Sequence, residues 1–179
     1  VMLAGGSAFG LDSASGAMKY LEENGIGYPV GSHIVPIVPA AILFDLFIGD
    51  GKRRPDAEMG YQACISANTN LPEQGSVGAG TGATVGKIMG IGQSTKSGLG
   101  SASIKLTGGT VVGAIVAVNA IGDVIDPKSN QILAGLRSIS KGPIKIGGEK
   151  IFADTREILK TFAGQKLLSL ASRSNTVIG

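Results

Sequence analysis

Apolar positions in this chain come in short runs punctuated by glycine, and helical and strand periods alternate. Val1-Met2-Leu3-Ala4 is a continuous apolar run broken by Gly5-Gly6-Ser7, the pattern of a buried strand and a turn. From Asp12 or Ser13, either of which can cap a helix, Ala14, Ala17, Met18 and Leu21 recur on one face, and Gly25 stands just past its end. Ile34–Leu46 is apolar and β-branched around Pro36 and Pro39, so it reads as extended chain near a sheet edge. A second helix is expected over Asp56–Ala67, after Pro55, and Asn68–Gly86 reads as a turn-rich loop.

The pattern then turns to strands. Ser101–Leu106 roughly alternates, with Lys105 among Ile104 and Leu106 suiting a half-exposed strand. Gly108-Gly109 marks a turn, and Val111–Asn119 predicts a continuous, buried-type strand. Asp154-Thr155-Arg156-Glu157 has the form of a capping box, opening a last helix whose apolar face holds Ile158, Leu159, Phe162 and the cluster at 167–170. Ser172–Asn175 breaks that helix, and Thr176-Val177-Ile178 begins an apolar, β-branched strand. No repeat or domain linker is visible, so residues 1–179 read as a single α/β domain. Beginning inside an apolar run at Val1, the chain reads as a fragment or a processed piece of a longer protein.

Composition narrows the classes. Hydrophobic residues make up 43%, which excludes a disordered chain, and 29 of 179 residues are glycine. Charged residues are 16%, against a usual ~25%. So little polar surface predicts cover by other subunits, a homo-oligomer. The net charge of +3 is dispersed, Lys52-Arg53-Arg54 is the one basic cluster, and tryptophan is absent, so no nucleic-acid partner is expected. The longest nearly uncharged stretch, Gly25–Phe44, holds three prolines and is a poor spanning helix, so no membrane partner is expected. One cysteine, Cys64, cannot form an internal disulfide, which fits a reducing, cytoplasmic compartment.

Several segments invite chemistry. Gly78-Ala79-Gly80-Thr81-Gly82-Ala83-Thr84-Val85-Gly86-Lys87 looks like a phosphate loop, but Thr81 stands where its first glycine belongs, and Ile88 where its hydroxyl belongs. Small residues that let backbones approach closely explain it as well. His33 is the only histidine and has no evident triad partner, and with Cys64 it makes a poor zinc set, so neither metal nor cofactor is expected. Lys96, in a loop of small residues, could project into a pocket as a base, or be a solvated loop lysine. Asn119, closing its strand, could donate to an oxyanion or simply form a turn. Asn175-Thr176 is the most suggestive pair. Cut between them, Thr176 gains an α-amine of pKa near ~8, so one residue supplies nucleophile and base.

Val1–Asp12 resembles the opening signature of the DmpA-type self-processing aminopeptidases, a family that includes L-aminopeptidase/D-esterases and nylon-oligomer hydrolases. Gly78–Lys87, Lys96–Ser103 and Gly113–Val124 resemble further family blocks in the same order. The resemblance implies a four-layer α/β/β/α sandwich, made as a precursor that cuts itself. It implies Thr176 as nucleophile after a cut at Asn175, Lys96 as the active-site lysine and Asn119 as the oxyanion donor. Residues 1–175 would then be most of the large subunit and 176–179 the start of the small one, with acidic active-site residues beyond Gly179. Ser97-Gly98 departs from the Gly-Gly that usually follows the family lysine. The implied activity is hydrolysis of small peptides, amides or amide oligomers without a cofactor. An ornithine-acetyltransferase-like acyltransferase and a non-cutting, ligand-binding member of the fold are the alternatives.

Overall fold

The computed structural model describes residues 1–141, 145–171 and 177–178. Helices and strands are mixed throughout, an α/β protein. Contacts divide the chain into two units, one holding residues 1–73 and the C-terminal strand, the other beginning at Gln74.

In the first unit, β1 (Met2–Ala4), β4 (Ala40–Ile42) and β11 (Val177–Ile178) form a sheet in the order β1-β4-β11. β1 and β4 are parallel, Met2 opposite Ala40, and β11 runs antiparallel to β4. The sequence expectation of an edge is corrected here, because β4 is the central strand and Ile42 is fully buried. Pro36 and Pro39 fall between β3 (His33–Val35) and β4, so no proline interrupts the ladder where it needs donors. Pro29 lies in β2 (Tyr28–Val30), which among the described residues pairs with β3 alone, where a missing N–H costs little.

Helix α1 (Asp12–Glu23) ends as its sequence implies. Gly25 N–H reaches Glu22 O at 3.0 Å and Ile26 N–H reaches Leu21 O at 2.8 Å, a Schellman closure. Its start differs from expectation. A 3-10 turn over Ser7–Leu11 runs straight into the helix, so Asp12 is already helical and caps nothing of its own. Its carboxylate instead accepts from Ala57 N–H at 3.2 Å, on the first residue of α2 (Ala57–Ile65). Asp56 caps α2 directly, accepting from Met59 N–H at 2.9 Å. The two helices touch through backbone: a Cβ on Gly60 would lie 1.9 Å from Ser13 O. Cys64 sits half-buried on α2.

The second unit is built of hairpins. β5 (Thr84–Val85) pairs with β6 (Thr95–Lys96), β7 (Leu99–Lys105) with β8 (Val111–Ala117), and β9 (Val124–Ile125) with β10 (Ile132–Ala134). The pairing of β7 and β8 is complete from Leu99–Ala117 to Lys105–Val111, turning at Gly108-Gly109 as the sequence predicts. The buried character expected of β8 is not found. Val111, Val112, Ile115 and Val116 are all more than half exposed, because nothing among the described residues covers this two-stranded ribbon. The core lies elsewhere, around Ile88, Leu136 and Ala153, with Met89, Ile121, Ile158 and Leu167 against it. The single last helix expected is two, α3 (Thr155–Leu159) and α4 (Phe162–Ala171). Thr161 separates them, its hydroxyl donating to Ile158 O at 2.7 Å and accepting from Gly164 N–H at 3.0 Å. Asp154 caps α3 through Arg156 N–H at 2.9 Å, but Glu157 pairs with Lys160 rather than completing a capping box. Phe162 points to solvent.

Candidate active site

The segment 78–87 is a buried cradle, not a phosphate loop. Residues 82–86 are buried, and β5 is held on one side by β6. Gly86 takes φ +72°, and a Cβ there would lie 1.9 Å from Leu136 N, so only glycine makes this turn. The turn brings the chain alongside residues 119–122. Gly86 N–H donates to Gly122 O and Lys87 N–H to Ile121 O, both at 2.8 Å.

Lys87 completes the clasp. Its Nζ donates to the backbone carbonyl of Asn119 at 2.7 Å. Asn119 is itself buried, and its Oδ1 accepts from Thr84 N–H at 3.1 Å. That bond fixes the amide plane and turns its nitrogen away from Thr84. Half-burial, with no carboxylate among the described residues paired to it, pulls the pKa of the Lys87 ammonium down to about 8. A lysine at that value changes charge near neutral pH, the kind of perturbed group found at reactive sites.

Lys96 takes a different place. It is exposed at the end of β6, and its Nζ donates to the carbonyls of Thr81 and, at 3.3 Å, Ala83. It ties down the cradle from outside. Ser97, its neighbour, donates its hydroxyl to Val118 O, one residue before Asn119. Of the residues singled out in the sequence, the structure brings Asn119 to an amine, but the amine is that of Lys87. The sequence did show Lys87, as the last residue of the glycine-rich segment. The signal that would have set it apart is the glycine before it, which forces a turn at the point where the lysine emerges.

Asp123 anchors the far end of this segment. Its carboxylate accepts from Leu136 N–H at 3.0 Å, Thr155 N–H at 2.7 Å and Thr155 Oγ1 at 2.8 Å. The expected cleavage pair Asn175 and Thr176 lies outside the described residues, directly before β11. His33 lies in the first unit on β3, in an open groove with Lys19 and Glu22. No helix of the described residues is long and apolar enough to cross a membrane.

Comparison with known proteins bears on this cradle. The profile of peptidase family S58 matches residues 1–148. An uncharacterized aminopeptidase of Mycobacterium leprae is 46% identical over 133 residues, and one of Mycobacterium tuberculosis 45% over 127. A 6-aminohexanoate-oligomer endohydrolase of Kocuria sp. is 29% identical over 126 residues. In each case the match spans about a third of the relative's length, 35%.

Proposed function

The chain belongs to peptidase family S58, and from that premise we propose that the protein is a self-processing amidohydrolase whose nucleophile is Thr176. The coarse class, a peptidase or amidohydrolase, follows the family and the names of its relatives, aminopeptidase and oligomer endohydrolase. The finer reading is carried by one observation, the Lys87–Asn119 clasp inside the matched region.

The chemistry runs in two stages. In the precursor, the Thr176 hydroxyl attacks the carbonyl of Asn175, the C–N bond breaks to leave an ester and a free Thr176 amine, and hydrolysis of that ester then frees the hydroxyl and the Asn175 carboxylate. In turnover that amine takes the hydroxyl proton as the oxygen adds to the substrate carbonyl. The tetrahedral oxyanion is met by the Asn119 amide, held in orientation by Thr84. Lys87 keeps Asn119 in place and, as an ammonium, puts positive charge beside the developing negative charge. The amine product then leaves, and water releases the acyl group. Lys96 holds the cradle at Thr81 and Ala83, a positioning part. The substrates are small peptides, amides or amide oligomers, and neither metal nor organic cofactor takes part in this scheme.

We place this machinery in a four-layer α/β/β/α sandwich, cytoplasmic and homo-oligomeric. Support for assembly is the exposed apolar ribbon of β7 and β8. The intact mass of the full-length product tests the core of the reading. Two fragments meeting at Asn175-Thr176 are expected, and an uncut species or a cut elsewhere overturns it.

A further inference from the structure

Asp123 follows directly on the stretch 119–122 that Gly86 and Lys87 grip, and its half-buried carboxylate is fully engaged. Oδ1 accepts from Leu136 N–H at 3.0 Å and from the Thr155 hydroxyl at 2.8 Å, and Oδ2 accepts from Thr155 N–H at 2.7 Å. Two of these donors are backbone amides of residues closed to water, since Leu136 is fully buried and Thr155 is 2% exposed. All three donors are neutral, and the neighbouring Arg156 is committed to Asp154 at 2.8 Å. A Cβ on Gly135 would lie 2.2 Å from Oδ1, so the glycine is what admits the carboxylate.

The Leu136 amide is where two parts of the cradle meet. A Cβ on Gly86 would lie 1.9 Å from the same nitrogen, so the turn that presents Lys87 packs on the amide that Asp123 holds. Leu136 O in turn accepts from Ala153 N–H at 2.8 Å, and Gly135 O accepts from the Thr95 hydroxyl at 2.6 Å. Asp123 thus ties the far end of 119–122 to the wall on which the Gly86 turn rests. The near end is Asn119, whose backbone carbonyl meets Lys87 at 2.7 Å. Only residues 120–122 separate the two ends, so a far end held by three bonds leaves Asn119 little room to swing. The family profile ends at residue 148, so Thr155, the first residue of α3, brings two of the three bonds from beyond the matched stretch.

We propose that Asp123 is a positioning residue: by clamping residues 119–122 to Leu136 and Thr155, it fixes the Asn119 amide and shuts water out from Lys87. The proposal rests on the reading of Asn119 as the oxyanion donor, and Asp123 itself touches no reacting atom. A carboxylate suits the task because it only accepts, and here both of its oxygens face donors. An amide of the same shape keeps one acceptor and turns an NH2 group against an N–H or O–H. The Lys87 ammonium has no ion pair among the described residues, so burial alone holds its pKa down at about 8, and loosening the clamp lets water raise it.

The test uses Asp123→Asn in the full-length protein, with circular dichroism reporting the fold. Thr155→Val and Thr155→Ser form a milder pair that removes and keeps the hydroxyl. NMR of lysine-labelled protein follows Lys87, its signal identified by its absence from Lys87→Met. The expected result for Asp123→Asn is a Lys87 pKa about 1 higher than in the wild type, toward 10.5. Loss of a negative charge by itself would lower that value, so a rise reports water at Lys87. The kcat for alanyl p-nitroanilide should fall about tenfold to a hundredfold with KM unchanged, the mark of an interaction made only in the transition state. Thr155→Val should show both changes at smaller size and Thr155→Ser neither, whereas a role confined to stability moves neither reading in a protein that is still folded. Lys87 still at the wild-type pKa in folded Asp123→Asn, or in Thr155→Val should the first variant not fold, overturns the inference. A wild-type protein that leaves the anilide intact overturns the oxyanion reading instead, and the Lys87 titration still decides the clamp.

Discussion

The Nζ of Lys87 stands 2.7 Å from the backbone carbonyl of Asn119, joining residues 32 positions apart in the chain. The contact is made possible by the turn at Gly86 and reinforced by two backbone bonds from residues 86 and 87 to residues 121 and 122. It makes the lysine and the asparagine parts of one rigid piece, and it separates the roles of the two lysines near the cradle.

Lys87→Met is expected to lower amide hydrolysis by the full-length protein about 10²–10⁴-fold, the range of a positioned charged or proton-handling group. Lys96→Met is expected to cost less, because it loosens the carbonyls of Thr81 and Ala83 without removing the charge beside Asn119. Steady-state kinetics of the two variants decides the order, and a larger loss in Lys96→Met would return the active-site part to Lys96.

Burial lowers Lys87 to about 8, so its ammonium is lost as pH rises through that value. Activity should therefore fall on the alkaline side of about pH 8, and Lys87→Arg, which stays charged, should lose that falling limb. Stability moves the other way. The unfolded lysine titrates near 10.5, so between about 8 and 10.5 the unfolded chain binds more protons and the native state gains as pH rises. Urea unfolding of wild type and Lys87→Met across that window should show the gain only in the wild type.

Thr176→Ala is expected to give an uncut, inactive protein, since the hydroxyl is needed for the cut and again for turnover. Thr176→Ser should cut and hydrolyse more slowly, keeping the hydroxyl and amine but losing the methyl that restricts the rotamer. Intact mass and anilide turnover read both. Inactivation of a folded, cut protein by His33→Ala would replace this scheme with a histidine-based one.

Asp123→Ala removes the acceptor of three hydrogen bonds and leaves the N–H groups of Leu136 and Thr155 without it. At about 1–3 kcal/mol for each stranded buried donor, the loss should exceed that of Thr155→Val, which removes only the hydroxyl. Chemical denaturation of the two variants measures the difference, and equal losses would mean the backbone donors find other partners.

What the sequence determined by itself is local. The run before Gly5 made β1, the apolar spacing after Asp12 made α1, Gly25 ended it, Asp56 capped α2, and Gly108-Gly109 folded β7 onto β8. Each depends on residues within a few positions, where period, cap and turn chemistry act directly. Family blocks in their order also showed the peptidase family, and with it Asn119 as a residue to watch. Tertiary structure alone decided the rest. Asp12 was legible as a cap, but only the packing of α1 on α2 chose Ala57 as its partner. The prolines marked an edge, yet strand pairing placed β4 at the centre. Both lysines stood in small-residue segments, and only the approach of residues 86 and 87 to residues 119–122 gave Asn119 to Lys87. The reason is common to all three: periodicity states which face of an element is apolar, while partners are fixed by contacts between segments far apart in sequence.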